Sequence, residues 1–165
     1  MAKDHSFDIV SKTDLQELQN ALSQARKEIA NRFDFKGSSA AIEFLEEPPA
    51  VKLTADHSMQ LKSVMDVLDG KLVKRGVALK AFSWKEPEQL PSGSMKQQGT
   101  LQQGIASEKA REIVKEIKGL GLKVQPRIDG DAVRVSGKQL DDLQVVITAL
   151  KGKDFGIPLQ FENYR

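Results

Sequence analysis

LKVQPRIDGDAVRVS, residues 122–136, reads as two short strands folded around a turn. LKVQPRI (122–128) and AVRVS (132–136) each alternate apolar and polar residues, and the DGD between them is a strong hairpin signal. Helical patterns lie on both sides. Upstream, Ala110, Ile113, Val114, Ile117 and Leu120 recur every three or four residues, with Ser107 placed to cap. Downstream, Leu140, Leu143, Ile147 and Leu150 do the same. A weak, polar strand, MKQQGTLQQG (95–104), precedes the first of these helices, and PLQFENY (158–164) closes the run as a last strand. The order is β-α-β-β-α-β.

The same order stands earlier in the chain. SFDIVS (6–11) reads as a strand, and TDLQ (13–16) as a capping box with Thr13 at the N-cap and Gln16 at N3. Leu15, Leu18, Leu22, Ala25, Ile29 and Phe33 form one helix stripe. AIEFL (41–45) and VKLTA (51–55) alternate like paired strands around the EEPP loop. Leu61, Val64, Met65, Leu68 and Leu72 mark a second helix, ended by Gly76, and VALKAFSW (77–84) reads as a strand. KEPEQLPSGS (85–94) has no periodicity and reads as a linker or long loop. Two split β-α-β units thus follow one another at an offset of roughly 90 residues. The expected class is α+β, with two tandem ferredoxin-like domains. Each would be a four-stranded antiparallel sheet with both helices on one face, leaving the other face for solvent, a ligand or the sister domain.

Bulk properties narrow the chemistry. The 165 residues suffice for one medium domain or two small ones. Hydrophobic residues make up 39% and aromatics 5%, so the core is mostly aliphatic. The absence of cysteine excludes disulfides, thiol catalysis and thiolate metal sites. No apolar run approaches the roughly 20 residues of a membrane span, and MAKDHSFDIV lacks the apolar segment of a secretory signal. A bacterial-type cytoplasmic protein is expected. The net charge of +2 does not announce a nucleic-acid binder. Lys71 to Lys85 holds five cations and no acid, either a local patch or a helix end complementing its dipole.

No catalytic motif stands out. GLGLKV (119–124) follows a helix and precedes a strand, the reverse of a dinucleotide fingerprint. His5 and His57 are the only imidazoles, and capping at a helix start accounts for Asp56 and His57. Asp129 and Asp131 flank a hairpin glycine, and Asp141 and Asp142 open a helix; each has a structural explanation. No metal or cofactor is implied, and the sequence argues weakly against an enzyme.

Binding surfaces are more informative. With Val124 and Ile128 facing the helices, Lys123, Gln125 and Arg127 point away. Arg134, between Val133 and Val135, joins them, and Lys138 lies at the entry to the next helix. The face is basic but lacks the stacking aromatics of an RNA-recognition motif, and it also reads as an ordinary solvated sheet face. In the first unit, Val77, Leu79 and Ala81 facing inward would put Lys80, Phe82 and Trp84 on the opposite face beside Lys52. Phe82 and Trp84 are candidates to stack a base, or to be buried against the other domain. In NRFDFKG (31–37), Phe35 would share the inward side with Phe33 as the chain extends, leaving Arg32 and Lys36 placed to meet a phosphate.

SFDIVS, RFDFKG, LVKRG, LKVQPRIDGDAVRVSGKQLDDLQ and PLQFENYR, in this order from about Ser6 to Arg165, closely resemble the bacterial YajQ family. The resemblance implies that the two domains exchange their first strands, so that 6–11 completes the second sheet and 95–103 the first. KQQGTLQQ is too polar to be a central strand on its own merits, which is consistent with an exchange that ties the domains. The domains would then be 12–84 plus 95–104, and 1–11 plus 105–165, with 85–94 as linker. Members of the family are described as nucleotide-binding proteins. Some are regarded as cyclic di-GMP receptors in gene regulation, which implies a transcription regulator as partner, and the fold has invited RNA-binding proposals. A non-enzymatic nucleotide-binding regulator is therefore expected, with RNA binding by the basic sheet faces as the alternative. The extended start AKDH and the stretch AFSWKEPEQLPSGSMKQQ depart from the family pattern, so the resemblance assigns nothing to Phe82 and Trp84. Of the two candidate anion sites, Arg32 with Lys36 and Lys123 with Arg127 and Arg134, the second is favoured because hairpin strands hold its side chains on one surface.

Overall fold

The computed structural model describes residues 4–165. Ala2 and Lys3 of the extended start lie outside the described residues. Strand β1 (His5–Val10) is followed by α1 (Leu15–Asn31), β2 (Ala41–Leu45), β3 (Ala50–Ala55) and α2 (Ser58–Lys74). Then come β4 (Phe82–Trp84), β5 (Glu88–Gln89) and β6 (Met95–Leu101). The chain ends with α3 (Ser107–Gly119), β7 (Val124–Asp129), β8 (Ala132–Gly137), α4 (Leu140–Lys151) and β9 (Gln160–Glu162). It divides into two compact units, one over Thr13–Gln102 and the other combining the residues up to Lys12 with Gln103–Arg165.

The expected exchange of first strands is present. One sheet has the order β7-β8-β1-β9 and the other β2-β3-β6-β4, with β5 also pairing β6. Every pairing is antiparallel. Each sheet thus takes one central strand from the other half of the sequence. Residues 85–94, read as a linker or long loop, carry β5 and a tight turn back to β6, closed by Leu90 N–H to Ser94 O at 2.7 Å and Gly93 N–H to Leu90 O at 2.9 Å.

The first unit, Thr13–Gln102, buries Leu18, Leu22, Ala25 and Ile29 of α1 and Leu61, Val64, Leu68 and Leu72 of α2 against Val51, Leu53 and Leu101 of its sheet. Three local expectations change here. Asp14, not Thr13, caps α1, accepting from the backbone N–H groups of Gln16 and Glu17 at 3.0 and 3.2 Å. A carboxylate one residue nearer the helix takes the two free N–H groups first. Phe33 does not extend the α1 stripe. The helix ends at Asn31, a single 3₁₀ turn spans Phe33–Phe35, and Phe35 is buried while Phe33 is 89% exposed. A second 3₁₀ turn, Leu79–Ala81, breaks the strand expected over 77–84.

That second turn resets the alternation. Phe82 and Trp84 therefore face the helices, and not the side of Lys52. Phe82 is buried in the core, Trp84 packs against it, and their rings stack at 5.8 Å. The polarity of β6, read as unfit for a central strand, is accommodated in the same place. Gly99 of β6 lies opposite Trp84, and a Cβ there would come within 2.7 Å of the indole ring. The indole covers the face that β6 leaves bare, while Leu101 and Met95 join the core and Gln97 donates to the backbone carbonyl of Lys85.

The second unit buries Phe7, Ile9, Val133 and Val135 of its sheet against Ile113 and Ile117 of α3 and Leu143, Val146, Ile147 and Leu150 of α4. Ser107, expected to cap α3, is instead its first helical residue, and Ala106 occupies the N-cap. Leu140 opens α4 before the buried stripe begins and is 62% exposed.

The packing of Trp84 on Gly99 predicts that Gly99→Ala destabilises the protein by about 1–3 kcal/mol, the scale of overpacking. Because Trp84 is the only tryptophan, urea denaturation followed by its emission reads the packing directly. Unchanged stability would mean that the indole does not rest on the glycine.

Candidate functional site

The free face of the second sheet follows from the alternation of its strands. Phe7, Ile9, Val133 and Val135 point to the helices, so Ser6, Asp8, Arg134 and Ser136 point the other way. Gln125 and Arg127 of β7 join them. The hairpin that holds β7 to β8 turns through Gly130–Asp131, with Gly130 at φ +62° as a two-residue hairpin requires. Ile128, expected to face the helices, lies in the row of the core residues Val133 and Ile9 but at the edge strand, where it stays 42% exposed.

Strand pairing arranges the free face in rows. Arg127, Arg134, Asp8 and Glu162 form one row across four strands. Gln125, Ser136 and Ser6 form the next. Two shallow recesses open over these rows. One, of about 270 Å³, is lined by Asp4, Ser6, Gln125, Arg127, Arg134 and Ser136. The other, of about 470 Å³, adds Lys123, Lys138 and Gln139 and shares Asp4, Gln125 and Ser136 with the first. Four of the expected site residues, Lys123, Arg127, Arg134 and Lys138, are thereby gathered on one continuous surface. Gln139 stands at the N-cap of α4, whose free N–H groups favour an anion, although Asp141 and Asp142 in the first turn already draw on that end.

The cations on this face are not equivalent. Lys123, Arg127 and Lys138 are exposed and make no ion pair among the described residues. Arg134 is engaged: its Nε donates to Asp8 Oδ1 at 2.9 Å and its Nη2 to Asp8 Oδ2 at 3.5 Å, with Asp129 3.9 Å from Nη2. Asp8 is 8% exposed and also accepts from Asn163 Nδ2 at 2.8 Å. The Arg134 hydrogen bond holds the Asp8 carboxyl below the usual carboxylate range; burial opposes this, and Asn163 and the charge of Arg165 support it. In turn Asp8 raises the affinity of Arg134 for its proton.

Asn163 reaches Asp8 through a β-bulge. Asp8 pairs with Glu162, yet Ser6 exchanges both backbone hydrogen bonds with Arg165, at 3.2 and 2.9 Å. One extra residue lies on the C-terminal side, and Asn163 takes it up at φ +57°. Asp8, Asn163, Ser6 and Ser136 were not among the sequence candidates. Asp8 and Ser6 were findable, since FDI places an acid between two inward apolar residues; the bulge at Asn163 has no comparable signature.

The other candidates are placed elsewhere. Arg32 forks onto Asp34 through Nε and Nη2, at 3.0 and 2.7 Å, reaches Glu28 at 3.4 Å and lies over the Phe35 ring. Its guanidinium is taken up by neighbouring carboxylates. Lys36 is exposed. Phe82 lies in the core, and Trp84 covers Gly99. His57 caps α2 by accepting from Gln60 N–H at 3.2 Å, whereas Asp56 accepts from Ser39. Among the described residues no group of three or more His, Cys, Asp or Glu is placed to hold a metal ion, and no helix is long and apolar enough to cross a membrane.

Two antiparallel sheets, each carrying two helices and each completed by a strand from the other half, define a tandem ferredoxin-like α+β protein. A family model described as "Nucleotide-binding protein YajQ-like" matches residues 5–165, and the chain belongs to that family. A relative named "Nucleotide-binding protein" from Carboxydothermus hydrogenoformans is 52% identical over 165 residues, 100% of both chains. One of the same name from Desulforamulus reducens is 48% identical over 165 residues, 100% of this chain and 99% of its own. Another, from Geotalea uraniireducens, is 49% identical over 160 residues, 97% and 98% of the two chains.

The Asp8–Arg134 pair carries a pH signature. A carboxyl whose folded pKa lies below its unfolded value, about 3.9, stabilises the fold above that value. The contribution is lost as pH falls through the folded pKa. Urea midpoints measured from pH 6 downward should therefore fall faster for the wild type than for Asp8→Asn, and the two should converge in acid. Parallel profiles would show that the pair contributes nothing to stability.

Proposed function

We propose that this protein is a non-enzymatic, nucleotide-binding regulator whose ligand rests on the free face of the second sheet. The observation that carries the reading is the continuous pair of recesses in which Lys123, Arg127 and Lys138 stand without ion-pair partners among the described residues, around a neutral row of Gln125, Ser136 and Ser6. Phosphates need clustered cations, and sugar and base edges need neutral hydrogen-bonding groups between them. The surface offers both, on the strands of one hairpin and on Lys123 and Lys138 that flank them. The names of the relatives support the same ligand class.

Cyclic di-GMP is the nucleotide proposed. Its two phosphates are closed into one small ring and lie near each other, so long cationic side chains such as Lys123 and Arg127 can approach them from two ends of the face. With no aromatic side chain on this face among the described residues, base stacking falls to the Arg127 guanidinium, which is planar and stacks as well as forks. Such a ligand suits a cytoplasmic signalling role exercised through a partner such as a transcription regulator. The Arg32–Lys36 site is weaker, because Arg32 already satisfies its fork internally.

Isothermal titration with cyclic di-GMP, GTP and a short RNA tests the reading. Cyclic di-GMP should bind, and replacing Arg127 and Arg134 together by Ala should weaken it at least about tenfold, given roughly 1.5–3 kcal/mol for each charged hydrogen bond lost. Preferential binding of RNA, falling steeply with salt as several phosphate contacts require, would favour the RNA reading. Unchanged affinity in a folded double variant would remove this face, and turnover of any nucleotide would overturn the non-enzymatic assignment.

A further inference from the structure

We propose that Asp8 and Asn163 are positioning residues of this face: they hold Arg134 by its side edge so that its outer edge meets a ligand phosphate end-on. The proposal rests on the face being the nucleotide site and adds how one cation in it is presented.

Arg134 has five N–H donors. Asp8 takes Nε and one donor of Nη2, while Nη1 has no hydrogen-bond partner among the described residues. The two outer N–H groups, on Nη1 and Nη2, form the fork that suits a phosphate. Arg134 lines the smaller recess together with Arg127. An alternative role for Asp8 is to mask Arg134 until an anion displaces it. Burial argues against that. Asp8 is 8% exposed and is held from a second side by Asn163, so displacement would leave a buried carboxylate short of a partner. The bulge serves the same end: the extra residue at Asn163 turns its amide onto Asp8. The other charged groups at this place are Asp4, Asp129, Glu162, Arg127 and Arg165. Three of these five are acids, so net charge alone would make the removal of Asp8 favourable to an anion.

The two roles thus differ in sign. Titrations use cyclic di-GMP and GTP with the full-length wild type, Asp8→Asn, Asn163→Gly and Arg127→Ala. Positioning predicts that Asp8→Asn binds about tenfold more weakly, the scale of one charge-assisted hydrogen bond, although it removes a negative charge. In an Arg134→Gln background the same substitution should cost nothing further, a coupling that general loosening of the fold would not produce. Asn163→Gly keeps the positive φ and the net charge, so it should fold and bind a few-fold more weakly. If Asp8→Asn does not fold, Asn163→Gly decides alone. Equal or tighter binding in these variants, with Arg127→Ala weakened, overturns positioning and leaves the site intact. Unchanged binding in all of them, Arg127→Ala included, overturns the site and this proposal together.

Discussion

The central strand of each sheet is the constraint on which the rest of this structure depends. In a sheet of this order the central strand must be hydrogen-bonded on both sides, and each half of the chain obtains it from the other half. β1 lies between β8 and β9, and β6 lies between β3 and β4. The chain therefore crosses between its units twice, at 12–13 and at 102–103. Backbone hydrogen bonding is indifferent to side-chain polarity, so MKQQGTL can serve as a central strand once its bare glycine is covered by Trp84. What disqualifies it as an autonomous apolar strand does not disqualify it as a ladder.

The exchange also decides which residues form the candidate site. The free face of the second sheet comes from three distant segments: β1 brings Ser6 and Asp8, the β7–β8 hairpin brings Gln125, Arg127, Arg134 and Ser136, and the C-terminal bulge brings Asn163. The hairpin supplies the free cations, and the other two segments supply the partners that restrain Arg134. A surface read from the hairpin alone looks more basic than it is, because Asp8 balances Arg134.

Much of this was legible. The DGD turn, the two-residue alternation around Arg134 and the helix stripes fixed the unit order and the outward direction of Lys123, Arg127 and Arg134. Where the reading slipped, short breaks in periodicity were responsible. A single 3₁₀ turn at Leu79–Ala81 shifts the phase of the strand after it, so Phe82 and Trp84 move from the free face to the core face. The turn at Phe33–Phe35 acts in the opposite direction on Phe33, taking it off the helix stripe and leaving it exposed. Alternation counts faces correctly only while the period holds, and one turn of helix is enough to reverse the count. The exchange itself lay outside what periodicity can show, since β-α-β-β-α-β has the same pattern whichever first strand completes which sheet; the family resemblance supplied it.

The distribution of paired and free cations follows from the same geometry. A cation on an inner strand has cross-strand neighbours on both sides. Arg134, in β8, meets Arg127 on one side and Asp8 on the other, and it pairs with the acid. Arg127, on the edge strand β7, has a neighbour on one side only, and that neighbour is Arg134. Like charges placed directly opposite are unfavourable, and Asp8 offsets that cost by drawing Arg134 toward β1. The acid on the exchanged strand is therefore what lets two arginines stand side by side. A fold that kept its own polar MKQQGTL strand here would have placed a different side chain beside Arg134, and the pair of arginines would have lacked its carboxylate.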